Sequence, residues 1–272
     1  MSEADIGKTS LGVVAICRNE EVDLPGFLAH LEGWADEIVL VDDGSSDNTL
    51  AIARAAGDHV QIIEQPMCDE EGFAGQRNRG IEAATCDWLL HMDIDERAPS
   101  ALQREISEII ATTTDNGLRY RRLNFFLHRP MRGGGWQGWN RPQLARRGHH
   151  RFVNAVHEEC LVEGSVGQLQ LAMWHLNDAD YGERMRKSNQ YCTLRAKALL
   201  ANGRRSGPVH LTLRPAYVFL KHYLLQLGLR DGVPGLLAAL HAASAEFRTW
   251  ALVWDRQNAI SREDIEQAAN RD

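Results

Sequence analysis

The first 110 residues alternate short apolar runs with segments of helical period, and few folds accept that order. Leu11–Ile16 (LGVVAI), Glu37–Val41 (EIVLV), Val60–Ile63 and residues 87–92 read as strands. The first, second and last are apolar almost throughout, as expected of strands covered on both faces. Asp23 can cap a helix with Pro25 in its first turn and Phe27, Leu28, Leu31 and Trp34 at helical spacing. Ser46 or Asp47 caps a second helix through Ala56, stopped by Gly57. Phe73–Ala84 and Pro99–Ala111 are the third and fourth. This order predicts an α/β fold with a mostly parallel sheet flanked by helices. Such sheets bind ligands beyond the carboxyl ends of their strands. Three polar clusters fall at those ends, Arg18-Asn19-Glu20, Asp42-Asp43 and Asp93-x-Asp95, and they are expected to converge.

The last cluster is the most demanding chemically. Asp93, Asp95 and Glu96 put three carboxylates in four residues behind the apolar run Trp88–Met92. Carboxylates so crowded repel, so something positive belongs between them. Hard oxygen donors suit Mg²⁺ or Mn²⁺, and Mg²⁺ commonly adds the oxygens of a substrate phosphate. Charge along the chain is uneven in a way that fits. Residues 1–117 hold 24 acids and 7 Lys/Arg, whereas residues 184–230 hold 10 Lys/Arg and no acid. An acidic half that binds a phosphate needs a metal, and the basic segments suit an anionic partner or pair with the acids of the first half. The net charge of −7 and the lack of an aromatic-basic motif argue against nucleic acid. Five scattered cysteines without a C-x-x-C pair suggest a reducing compartment and no structural zinc. Met1–Ser10 is polar and opens no signal peptide, and no window is apolar enough to span a membrane, so a cytoplasmic location is expected.

After Gly117 the pattern changes. Leu118–Leu127 reads as a strand with arginines on one face, and Met131–Arg141 as a glycine-rich loop carrying Trp136 and Trp139. Pro142–Arg146 and Cys160–Glu163 read as short antiparallel strands. From Tyr181 the chain reads as helical, with Met185–Ala201, Tyr217–Leu229, Pro234–Phe247 and Ser261–Ala269 as the helices. The expected division is a catalytic domain over 1–180, with halves 11–117 and 118–180, and a helical extension over 181–272. The run Gly133-x-Gly135-x-x-Gly138 matches a dinucleotide fingerprint only formally, since no helix opens after it. His157-Glu158-Glu159 lacks the second histidine of a zinc protease, and neither a Walker A motif nor G-x-S-x-G is present.

Four stretches, VVAICRNEE (13–21), EIVLVDDGSSDNT (37–49), GFAGQRNRGIEAA (72–84) and LLHMDIDER (89–97), together resemble family 2 glycosyltransferases of the GT-A fold. VHEE (156–159), the segment around His175, and Phe219, Tyr223, Gly228, Asp231, Gly232 and Gly235 resemble a bacterial subgroup associated with lipopolysaccharide core assembly. The resemblance implies a metal-dependent, inverting transfer of a sugar, a UDP-linked hexose by family habit, to a glycan or glycolipid acceptor of the cell envelope. It implies that Asp95 ligates the metal, that Asp93 serves the metal or the ribose, and that His175 adds a metal or phosphate contact. Asp42 or Asp43 would read the nucleoside. Arg77 would approach the base or phosphates, and Arg18 and Glu20 would line the nucleoside pocket. Glu158 would be the general base, with Glu159 as the second candidate and its like charge raising the base's pKa. Trp136 and Trp139 would stack on sugar or anchor their loop. The apolar, basic stretch Pro208–Phe247 would lie on an anionic membrane face, pack on the catalytic domain or form a dimer. A nucleotidyltransferase on a related sheet would show a glycine-rich basic loop after the first strand, and Cys17–Glu21 has no glycine. A non-catalytic nucleotide-sugar-binding protein would have lost part of the acidic set, which is intact.

Overall fold

Four strands set the frame: β1 (Leu11–Cys17), β2 (Glu37–Asp42), β3 (Val60–Glu64) and β4 (Trp88–His91). They are alternating crossovers apart in sequence and hydrogen-bond in the parallel order β3-β2-β1-β4. The computed structural model describes residues 9–136, 138, 140–155, 158–177 and 180–270. Val13, Ala15, Ile38, Leu40 and Leu90 point to one face of the sheet, where they pack with Phe27 and Leu31 of α1 (Leu24–Leu31). Leu102 and Ile106 of α4 (Ser100–Thr112) join the same core. Val14, Val39, Val41 and Leu89 point to the other face, towards α3 (Gly72–Ala83). Helix α3 lies close because Gly80 faces the sheet; a Cβ there would sit 2.3 Å from Val14 Cγ1. Helix α2 (Thr49–Ala55) begins later than the sequence suggests. Neither Ser46 nor Asp47 is its N-cap, because the Asp47 carboxylate accepts the Thr49 N–H and the Glu21 N–H and so builds the preceding turn instead.

The sheet continues through antiparallel strands. After β5 (Glu96–Arg97) come β6 (Gly117–Phe126), β7 (Arg129–Pro130), β8 (Leu144–Arg146), β9 (His150–Val153), β10 (Glu159–Val162) and β11 (Val166–His175). The full order is β3-β2-β1-β4-β8-β6-β11-β5, with β7 paired to β6 and β9 to β10 in a separate ribbon. Strands β9 and β11 are not expected from the sequence. β11 buries only Leu169 and Met173 of its ten residues, so its apolar period is weak. Glu105 of α4 accepts the backbone N–H groups of Gln170 and Leu171 and fixes that strand at its outer side.

Contacts divide the chain into two units, residues 1–123 with 138–176, and residues 124–137 with 177–272. The second unit contains α5 (Tyr181–Ala201), α6 (Pro208–Leu211), α7 (Leu213–Leu220), α8 (Gly232–Gln257) and α9 (Arg262–Ala269). The single helix expected over Tyr217–Leu229 is broken. α7 passes into a π turn at Lys221–Leu225, Leu227 takes a left-handed φ of 59°, and a 3₁₀ turn follows at Gly228–Asp231. Close packing explains the break: a Cβ on Gly235 would lie 1.9 Å from the Gly228 carbonyl oxygen, and one on Gly133 would lie 2.1 Å from that of Leu227. The Asp231 carboxylate accepts the backbone N–H groups of Arg132 and Gly133 at 2.8 and 2.7 Å. The buried anchor of the helices is Glu246, which takes Arg195 at 2.7 Å and the Trp250 indole N–H at 2.8 Å. Among the described residues no helix is long and apolar enough to cross a membrane.

Candidate active site

The parallel register brings the three polar clusters to one edge. Cys17 lies level with Asp42, and Val14 is level with both Val39 and His91, so the loops after β1, β2 and β4 leave the sheet on the same side. The first two loops are laced together. Asn19, at a left-handed φ of 57° that asparagine tolerates well, accepts the Ser46 N–H at 2.8 Å and donates its own N–H to Ser45 Oγ. The Glu20 N–H goes to Thr49 Oγ1 at 2.7 Å. Asp42 is buried and turns back on Ser45, accepting both its N–H and its hydroxyl. Asp43 is the more accessible of the pair and binds Arg18 at 3.0 Å. Burial, with Asp42 beside it, pushes the Cys17 thiol up to about 12, so this cysteine is an unreactive part of the wall.

Around β4 the charges interlock. Arg77, from α3, is buried and gives Nη2 to Asp93 Oδ1 at 2.7 Å, while its Nε reaches Glu158 Oε1 at 3.4 Å. Arg122, from β6, gives Nη2 to Asp93 Oδ2 at 2.9 Å. Its Nε lies 2.6 Å from Glu96 Oε1, an ion pair whose N–H is not aimed along the contact. Glu96 is fully buried and accepts the Asp93 N–H at 3.0 Å. Burial raises the Asp93 pKa, but Arg77 and Arg122 outweigh it and hold the carboxyl at about 2. Burial and then the Asp93 charge push Glu96 the other way, to about 7. Asp95 Oδ2 faces His175 Nε2, the last residue of β11, at 3.2 Å. Burial disfavours the charged imidazole, but the hydrogen bond to Asp95 and its charge raise the His175 pKa overall.

Asp93, Asp95 and His175 each offer a donor atom, and these atoms lie within 4.8 Å of one another. Each Asp93 oxygen keeps a lone pair beyond its guanidinium bond, so the donor set of two carboxylates and an imidazole fits a divalent cation. Arg77 Nη1 is buried with no hydrogen-bond partner among the described residues. Behind the site His91 and His150 form a buried pair, Nε2 to Nε2 at 2.9 Å. His91 packs edge-on against Phe152, whose ring lies under Arg77.

The structure thus brings Arg77, Asp93, Asp95, Glu158 and His175 together, and sets Arg18, Glu20, Asp42 and Asp43 on the same edge of the sheet. Arg77 rather than Glu159 is the charged neighbour of Glu158 that the structure records. Trp136 belongs to the second unit. There it packs edge-on against Phe126 with Arg184 5.1 Å over its ring, so it is an anchor of its loop. Trp139 lies outside the described residues. Glu96, read from the sequence as part of the acidic cluster, faces Arg122 and is not in the donor group; Arg122 itself escapes sequence reasoning. The signal for Arg122 is its phase: it shares a strand face with buried Leu118 and Tyr120, where an arginine requires a carboxylate.

The model for glycosyl transferase family 2 matches residues 12–154, which carry β1–β9 and all of the site named above except Glu158 and His175. Over 97% of this chain and 98% of its own length, the lipopolysaccharide core biosynthesis glycosyltransferase LpsC of Rhizobium meliloti is 30% identical. An uncharacterized glycosyltransferase of Rickettsia conorii is 25% identical over 85% of each chain. Among solved structures, S. aureus TarS 1-349 superposes with a TM-score of 0.47 at 15% identity, covering 93% of each chain. The family match spans the strands that carry the acidic edge, and the similarity to LpsC runs the length of the chain: this protein belongs to glycosyl transferase family 2.

Proposed function

We propose that the protein transfers a hexose from a uridine diphosphate sugar, with a divalent cation, to a glycan or glycolipid of the lipopolysaccharide core type, with inversion at the anomeric carbon. The observation that carries the reading is the meeting of Asp93, Asp95 and His175 with two arginines at the carboxyl edge of the sheet. Asp95 and His175, with Asp93 beside them, would hold Mg²⁺ or Mn²⁺, which would neutralise charge on a leaving diphosphate. The chain's own residues do the rest. Arg77 has a buried guanidinium N–H without a partner among the described residues, suited to a donor phosphate or base oxygen. Asp43 presents a carboxylate to the N–H and O–H groups of a nucleoside, buried Asp42 holds the Ser45 turn behind it, and Arg18 and Glu20 flank them. Glu158 is a partly exposed carboxylate held by Arg77, and in this reading it takes the proton of the acceptor hydroxyl. The kinship with LpsC favours a core-type acceptor.

The test is calorimetric. Uridine diphosphate titrated into the protein should bind with Mn²⁺ present and bind far more weakly without it. Asp95→Asn should abolish the metal dependence and lower transfer by a factor of about 10² to 10³, as loss of a group that stabilises charge in the transition state does. Metal-independent binding of the diphosphate would overturn the proposal.

A further inference from the structure

We propose that the outer face of α7 and the turn after it bind an anionic bilayer surface. Leu213, Tyr217, Leu220 and Leu224 recur at intervals of four, three and four, which is one stripe of a helix. They are 64%, 59%, 47% and 46% exposed, and Leu225 beside them is 73% exposed. The opposite side of α7 is apolar as well, with Pro215, Val218 and Phe219 half-buried. A helix with apolar residues on two sides, one of them left exposed, is suited to meet a second apolar phase. It is too short and too charged to cross a bilayer, which leaves the interface.

Charge selects the occupant. Residues 184–230 hold ten Lys/Arg and no acid of their own; Lys187, Arg195 and Arg214 pair with Glu183 or Glu246, which flank the segment in sequence. Lys221 follows Leu220 at the flank of the stripe, Arg204 and Arg205 are exposed in the turn before α6, and Arg230 is exposed after the π turn. Arg214 is drawn inward to Glu246 at 3.4 Å and lies over the Trp250 ring, so it anchors the segment and is not part of the contact. Exposed lysine and arginine stems lie along apolar surface and lift their charges to phosphate level. Two copies meeting through this face would set one wholly cationic segment against another, which disfavours a dimer there. An anionic head-group layer complements it instead. This inference uses none of the residues of the metal site and stands apart from the choice of donor.

The experiment is flotation of the full chain with vesicles of pure phosphatidylcholine and with vesicles holding about 30% phosphatidylglycerol, in low and high salt. The protein should float with the anionic vesicles at least tenfold better than with the neutral ones, and high salt should reverse most of that gain. Leu213→Ser with Leu220→Ser and Leu224→Ser should lose flotation with circular dichroism and melting temperature unchanged. Arg204→Glu with Arg205→Glu, which leaves the apolar stripe intact, should lose it on anionic vesicles as well. No flotation, equal flotation on both vesicles, or a dimer in light scattering that the triple serine variant dissolves would each overturn the proposal. Retention of uridine diphosphate binding by these variants separates a failure here from a failure of the donor reading.

Discussion

Arg122→Met tests whether Glu96 is a conditional charge. In the native protein Arg122 faces two carboxylates, Asp93 at 2.9 Å and fully buried Glu96 at 2.6 Å. Methionine keeps most of the stem and removes the guanidinium. Breaking a buried pair commonly costs about 3–5 kcal/mol because a bare charge is left behind. Glu96 has a way out, since its carboxyl already titrates at about 7 and can take up a proton. Below pH 7 it is mostly neutral in the native protein, and losing Arg122 costs it little. Above pH 7 the variant must hold a proton that the native protein has released, at about 1.4 kcal/mol per pH unit. Asp93 retains Arg77 and adds a pH-independent loss of about 1–2 kcal/mol for one charged hydrogen bond. The variant should therefore be less stable by about 1–2 kcal/mol at pH 6 and by about 3–4 kcal/mol at pH 8.5. Urea denaturation followed by tryptophan fluorescence at the two pH values reads the difference. An identical loss at both would refute the conditional charge, and no loss at either would refute the interlock itself.

The histidine pair makes a second pH prediction. His150 Nδ1 donates to the Arg146 carbonyl at 3.0 Å, so its Nε2 must accept from His91 and both rings are neutral. Burial, and the neighbouring positive groups, lower both pKa values, that of His91 strongly. The unfolded chain takes up these two protons as pH falls through about 6.5, so stability is intact above that value and falls below it by up to about 2.7 kcal/mol per pH unit. Glu96 acts oppositely between about 7 and 4.5, so the readout is the difference between the native protein and His91→Gln with His150→Gln, whose urea midpoint should fall less from pH 7.5 to 5.5. Parallel curves would count against the pair. Gly235→Ala should destabilise the second unit by at least about 2 kcal/mol, because its Cβ meets the Gly228 carbonyl oxygen at 1.9 Å. An unchanged melting temperature would show that the turn yields freely.

The parallel half of the sheet was readable because strands buried on both faces leave unbroken apolar runs, and β1, β2 and β4 do. Their ends then told where the acids meet. β9 and β11 were missed for the converse reason. Half-covered strands need only one buried residue in two or three, and β11 hides its period behind exposed Leu171 and Trp174. Arg122 is one arginine of several in its run, and only its phase with Leu118 and Tyr120 sets it apart. The break after α7 has only a partial local signal, the glycines at 228, 232 and 235. It arises where backbone meets backbone, locally between Gly228 and Gly235 and, across about 94 residues of sequence, between Gly133 and Leu227, a contact that leaves no trace in a short window.

The return of residues 124–137 to the second unit has a practical outcome for anyone who would dissect the enzyme. A fragment starting at residue 177 would lack Phe126 and Met131, which complete the apolar cluster with Ala238, and would leave the Asp231 carboxylate facing water in place of two amides. A fragment ending there would carry a fourteen-residue excursion with nothing of its own unit to fold upon. Neither half is a ready-made module, and swapping C-terminal segments between relatives would require transplanting two separate stretches of gene at once.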